Sequence, residues 1–328
     1  VTLGSSTGAP IYIKSSDKTI ITLAKDSENS LSDTNRESGD DNAVIYSETD
    51  LSINGTGTLT INALYNNGIN CRDDLKLING TYIINSVDDG IVGHDSVTVA
   101  GGTFTINCKG DAIKSGKSDN DSEGYVHITG GEFTINCGGD GIDSNGTIVI
   151  NSGIVVVDGP VSDGNSGLDY DANCTINGGY IFIAGSSGMA EGFSSDSTQC
   201  GALLAVTNGS AENTVSLADS KGNVILSYTP SKKYGALNIS SPDMKTGETY
   251  TLYTGGTITG ITELNSRISK GGTISDGSSV LEYTQTDVTY SDIKGGFGPG
   301  GNGRPNGRSS MPDGEMPDMP DSTRPEKP

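Results

Sequence analysis

The chain has 328 residues, a formal net charge of −21, 48 glycines, no tryptophan and only 5% aromatic residues. So acidic a surface repels nucleic acid and anionic membranes, and no run of 18 apolar residues is present to span a bilayer. Bulky side chains are too few for a wide globular core, so the abundant Asn, Thr, Ser, Gly, Ile and Val point to short strands, tight turns and a narrow core.

The chain opens at Val1 inside a strand pattern, with no signal peptide visible. We expect an extracellular or cell-surface bacterial protein whose signal or anchor segment is absent from this sequence. From Ile53-Asn54-Gly55 onward an internal repeat takes over. One half of the unit reads Asn67-Gly68-Ile69, Asp89-Gly90-Ile91, Asp111-Ala112-Ile113, Asp140-Gly141-Ile142 and Ser166-Gly167-Leu168. The other half reads Gly101-Gly102-Thr103-Phe104-Thr105-Ile106, then Gly130-Gly131-Glu132-Phe133-Thr134-Ile135, then Gly178-Gly179-Tyr180-Ile181-Phe182-Ile183. Gly68 to Gly90 and Gly90 to Ala112 are each 22 residues. Longer intervals follow where a polar insertion at 117–123 and a turn around Pro160 to Asn165 intervene.

A period near 22 residues with three short strands per unit predicts an all-β, right-handed parallel β-helix over residues 1–200. Alternation places Phe104, Ile106 and Cys108 inside, with Phe133, Ile135 and Cys137 stacked beneath them, and leaves Thr105, Asn107, Thr134 and Asn136 outside. Five cysteines exclude a complete disulfide framework, and Cys108 and Cys137 are expected to pack inward. Ile154, Val156, Tyr180 and Phe182 break the rule and point outward. We expect the C-terminal region to cover them. Residues 201–293 read as antiparallel strands that cap or flank the last coils, with a hairpin turn at Asp219 to Asn223. Residues 294–328, rich in Gly and Pro, read as a disordered tail.

The turn column Asn67, Asp89, Asp111, Asp140 carries the chemistry. Carboxylates one coil apart repel unless a cation joins them, and Ca2+ accepts six to eight oxygens in flexible geometry. The predicted metal ligands are Asp88, Asp89, Asp111, Asp140 and Asp143, with a second group at Asp163, Asp169 and Asp171. The alternative is that these aspartates only cap backbone N–H groups in tight turns. Lys114, Arg72 and His94 are candidate substrate-binding residues. Beside calcium, Lys114 or Arg72 could also act as the base of a β-elimination, whereas a salt bridge from Lys114 to Asp143 would leave it no such role. Two histidines without clustered Cys-His spacing argue against zinc.

The runs Asp88-Asp89-Gly90-Ile91-Val92-Gly93-His94-Asp95, Gly110-Asp111-Ala112-Ile113-Lys114, Gly139-Asp140-Gly141-Ile142-Asp143 and Ser240-Ser241-Pro242-Asp243-Met244-Lys245-Thr246-Gly247 resemble the clostridial cellulose- and acid-sugar-binding β-helix family, over about residues 1–293. The resemblance implies a polysaccharide-lyase type of fold, bound calcium, a surface or secreted location, and binding of cellulose and polygalacturonate-like plant cell-wall sugars. It does not imply established catalysis. The absence of Trp removes the usual flat platform for crystalline cellulose and favours acidic sugars bridged by calcium. Three functions stand side by side: a non-catalytic sugar-binding module, a calcium-dependent pectate-lyase-like polysaccharide lyase, and a purely structural surface rod.

Overall fold

A computed structural model describes residues 1–35, 41–117 and 124–293, and every regular element among them is a strand. Residues 118–123 of the insertion and the tail from 294 lie outside the described residues. The first 176 residues wind through seven coils, each giving one strand to each of three sheets. Face 1 contains Thr58–Ala63, Thr81–Ser86, Thr103–Cys108, Glu132–Cys137 and Ile154–Asp158. Face 2 contains Ile11–Ile13, Ala43–Ser47, Asn67–Cys71, Ile91–Gly93, Ile113–Ser115, Ile142–Ser144 and Leu168–Tyr170. Face 3 runs from Thr19–Leu23 to Asn173–Ile176. All pairing within the coils is parallel, and like residues sit on like residues: Phe104 on Phe133, Ile106 on Ile135, Cys108 on Cys137.

Period-2 alternation builds the core. Along Thr103–Cys108 exposed and buried residues strictly alternate, with Phe104, Ile106 and Cys108 inside. Tyr82, Phe104 and Phe133 form one column, with ring centroids 4.6 and 4.7 Å apart and nearly parallel planes, which matches the rung spacing of a sheet. All five cysteines are free thiols, and four are buried. The turn from face 3 to face 1 needs glycine: Gly102 has φ +109°, and a Cβ there would lie 2.8 Å from the Gly80 carbonyl oxygen one coil below.

After Tyr180–Gly185 the chain reverses. Tyr234–Ser240 and Gly201–Gly209 add antiparallel strands to face 1, so that sheet runs on past residue 200. A six-stranded antiparallel sheet, including Val215–Asp219, Val224–Tyr228 and Thr249–Thr254, packs over the outer side of the last coils. The outward apolar residues Val156 and Phe182 are fully buried beneath it, in one cluster with Leu204, Leu217, Leu226, Tyr228 and Leu252. The hairpin at Asp219 to Asn223 is closed by the Asp219 carboxylate, which accepts from the Lys221 and Asn223 N–H groups.

Candidate functional site

The acidic column lies on the turn from face 1 to face 2 and has two tasks. One oxygen of each residue closes the turn of the next coil. Asn67 Oδ1 accepts from Asp89 N at 3.0 Å, Asp89 Oδ1 from Asp111 N at 2.8 Å, Asp111 Oδ1 from Asp140 N at 2.7 Å and Asp140 Oδ1 from Ser166 N at 2.5 Å. Each bond satisfies a turn N–H that no strand can reach. The turn-capping role is therefore real, and it consumes only half of each carboxylate.

Two members of the column also approach the face 2 residue Asp143. Single carboxylate oxygens of Asp111, Asp140 and Asp143 lie within 4.8 Å of one another. Asp143 stands on face 2 one rung above Lys114 and one below Asp169. Lys114 Nζ donates to Asp111 Oδ2 at 2.5 Å and lies 2.7 Å from Asp143 Oδ2. Burial pushes the Asp140 carboxyl up to about 7, with repulsion from Asp111, Asp169 and Asp143 adding to it and the Ser166 N–H opposing it. Asp143 also rises, again chiefly through burial, because the Lys114 bond does not outweigh burial plus its acidic neighbours. Asp89 is raised to about 6 by burial, and Asp169 shifts upward for the same reason. Burial pulls the Lys114 ammonium down, but its bonds to Asp111 and Asp143 push it further the other way, well above its ordinary value. One ammonium is thus shared among several carboxylates.

A hard divalent cation fits this donor set. Ligand oxygens at 2.3–2.6 Å from Ca2+ lie at most about 5.2 Å apart, and the 4.8 Å cluster is within that reach. Asp111, Asp140 and Asp143 would hold such an ion, with Asp169 one rung on. Lys114 already pairs with two of the same carboxylates, so its head would have to withdraw for an ion to enter.

The other predicted residues scatter around this centre. Asp88 lies beside the column and accepts from Asn66 Nδ2 at 2.9 Å. Asp163 and Asp171 are exposed on later turns, and of the second predicted acidic group Asp169 alone stands in the column of Asp143. Arg72 and His94 sit one above the other on the turn from face 2 to face 3, across the strand from the aspartate column. There His94 pairs with Asp95 at 2.8 Å, and Asp95 pairs with Lys117 at 2.6 Å. Strand direction explains the separation: Arg72 and His94 follow their strands, whereas the aspartates precede theirs.

Sequence reasoning missed a second polar centre. Asp158, 2% exposed, pairs with Arg267 at 3.0 Å and accepts from Ser231 N at 3.1 Å. Lys232 Nζ donates to the carbonyls of Cys137, Asp158 and Gly159. These contacts join partners 73 to 109 residues apart, a separation that no local pattern reveals.

Seven parallel coils bearing an acidic turn column define a parallel β-helix of polysaccharide-lyase-like type. A solved structure of this type, the polysaccharide lyase-like protein from C. thermocellum as a gadolinium derivative, superposes with TM-score 0.50 at 36% identity, over 53% of this chain and 71% of that one. The chain belongs to the family described as carbohydrate-binding domain-containing protein, whose model matches residues 1–223. A protein of Acetivibrio thermocellus with that description is 41% identical over 90 residues, 26% of this chain, and the match spans about a third (32%) of that relative's length.

Proposed function

We propose that this carbohydrate-binding protein holds calcium at Asp111, Asp140 and Asp143 and uses it to bind acidic polysaccharide outside the bacterial cell, without cleaving it. The observation that carries the reading is the convergence of three carboxylate oxygens within 4.8 Å on consecutive coils, two of them from carboxyls whose protons are held unusually tightly. A divalent ion relieves that repulsion and leaves coordination positions for a uronate carboxylate. The similar C. thermocellum protein was solved as a gadolinium derivative. Polygalacturonate-like plant cell-wall sugars suit the arrangement better than cellulose, since the chain has no tryptophan.

The lyase reading loses support at Lys114. A base for elimination needs a lowered pKa, and Lys114 is held protonated between two carboxylates. Arg72 lies on the far turn of face 2, across the strand from the acidic cluster. A glycan array probed with and without calcium tests the proposal. Binding of acidic glycans that disappears on chelation is expected; binding indifferent to chelator, or release of unsaturated sugars from polygalacturonate, overturns it.

A further inference from the structure

At the end of face 1 a backbone bond ties the start of a turn to the coil below. Val87 N donates to the Ala63 carbonyl at 3.1 Å, and Gly138 N to the Cys108 carbonyl at 3.0 Å. Asn136 pairs with Asp158, so the matching donor to the Cys137 carbonyl is residue 160. That residue is Pro160, which carries no N–H. The Gly159 N–H does not stand in for it, because it donates to the Ala184 carbonyl on the next strand at 2.7 Å. The ladder therefore supplies no donor to the Cys137 carbonyl, at the root of the turn that carries Asp140.

A side chain from the C-terminal region supplies it instead. Lys232 lies on the connection between Val224–Tyr228 and Tyr234–Ser240, beyond the residues 1–223 that the family model matches. Its Nζ donates to the Cys137 carbonyl at 2.6 Å, and to the carbonyls of Asp158 and Gly159 at 3.1 and 3.2 Å. Three acceptors take up all three hydrogens of an ammonium. The N–H of the preceding residue, Ser231, donates to the Asp158 carboxylate at 3.1 Å, which anchors the backbone beside Lys232 to the same strand end. Both strand ends held in this way lead to the acidic cluster. Asp140 follows Cys137 by three residues, and its N–H is capped by Asp111. Ser166 follows Gly159 by seven, and its N–H is capped by Asp140. The longer of the two turns has an exposed tip from Val161 to Gly164, so its course is set at its root.

We propose that Lys232 is a positioning residue for the ion site: it replaces the donor that Pro160 lacks, joins the turn of Asp140 to the turn of Ser166, and so sets where the Asp140 carboxylate meets those of Asp111 and Asp143. The C-terminal sheet is then part of the site as well as a cover for the coils. The inference rests on the calcium reading above for its ligand, whereas the tie between the two turns is measurable without metal.

Lys232→Met in the full chain, which keeps the stem and removes the ammonium, tests this with two readouts. In chelator, amide hydrogen exchange should quicken about tenfold at Asp140 and Ser166. The Asp111 amide, capped by Asp89 one coil below, should stay protected as in the native chain. In calorimetry the variant should bind calcium about tenfold more weakly, and Lys232→Arg, which keeps the charge and the donors, should retain most of the affinity. The sign separates positioning from charge, since loss of a nearby cation by itself tightens the binding of a divalent ion. Calcium binding by Lys232→Met that is unchanged or tighter overturns the proposal, as does exchange at Asp140 and Ser166 that matches the native chain. Exchange that quickens equally at Asp111 also overturns it, because the lysine then only stabilises the fold. The two readings fail differently. A native chain that binds no calcium sinks the ion site; quickened exchange confined to Asp140 and Ser166 then still establishes the tie between the turns, and native exchange there removes that as well.

Discussion

At the scale of single residues, Lys114 is the control point. Its ammonium bridges Asp111 and Asp143, so it offsets the repulsion within the cluster and, on the proposed reading, would compete with an ion there. Its removal should therefore act in opposite directions on two measurements. Lys114→Gln should lower the melting temperature in chelator and tighten calcium binding about three- to tenfold by calorimetry, the size expected for a partly exposed ion pair. Weaker calcium binding in this variant would show that Lys114 assists the ion. The titration of Asp140 fixes the pH dependence. Its folded value, about 7, lies above its unfolded 3.8, so the folded state carries more protons between these limits. Metal-free stability contributed by this group is then fully present below pH ~4 and is lost as pH rises through ~7. On the proposed reading calcium would displace the same protons, so its affinity should rise from pH 5.5 to 7.5 with protons released on binding. Buffers of different ionisation enthalpy will reveal that release, and a flat affinity would place calcium elsewhere.

At the scale of elements, the proposed calcium site would divide turn capping and ligand binding between the two oxygens of one side chain. Asp111 Oδ1 closes the turn at Asp140 and Oδ2 accepts from Lys114 Nζ. Asp111→Asn keeps an acceptor for the Asp140 N–H and should melt near the native chain while losing most of its calcium affinity. Asp111→Ala strands that N–H and should cost about 1–3 kcal/mol in denaturant unfolding. Asn67, which has no carboxylate yet caps Asp89 at 3.0 Å, already shows that the amide suffices for the turn. This double duty also marks what was legible in the sequence. The Asp-Gly-Ile repeats disclosed the coils, and the alternation in Thr103–Cys108 disclosed the core, because a solenoid writes the same contact every 22 residues or so. The first two coils lack the Asp-Gly turn and carry a weaker signal, although Glu28–Asp33 and Ala43–Ser47 stack in parallel on the coil that follows. The convergence of Asp111, Asp140 and Asp143 was legible as spacing. That Arg72 and His94 lie across the strand was not, since sequence order alone does not show which of the two turns flanking a three-residue strand faces the ligand.

At the scale of the molecule, the C-terminal strands and the coils behave as one body because the outer surface of the last coils is built to be covered. Val156 and Phe182 break the polar-outside rule of face 1, and the cluster that buries them draws on both parts of the chain. Apolar packing alone permits sliding; the ladder between Tyr180–Gly185 and Tyr234–Ser240 fixes one edge of the cover, and a buried charge pair adds a directional tie. Asp158 is almost inaccessible and holds Arg267, while Ser231 donates to it through its N–H. Arg267 in turn donates to Tyr228 Oη at 2.9 Å and lies over the same ring. Breaking such a pair from one side leaves a buried carboxylate without its cation, which costs more than the pair contributes while intact. Arg267→Ala should therefore cost about 2 kcal/mol, below the range for fully buried pairs because the guanidinium is partly exposed. Asp158→Asn in the same background should restore part of that loss, since the stranded charge is gone and Ser231 still has an acceptor. Chemical denaturation of the two variants decides the matter. If the double variant is no more stable than Arg267→Ala, the centre works through packing of the arginine stem over Tyr228 and not through its charge.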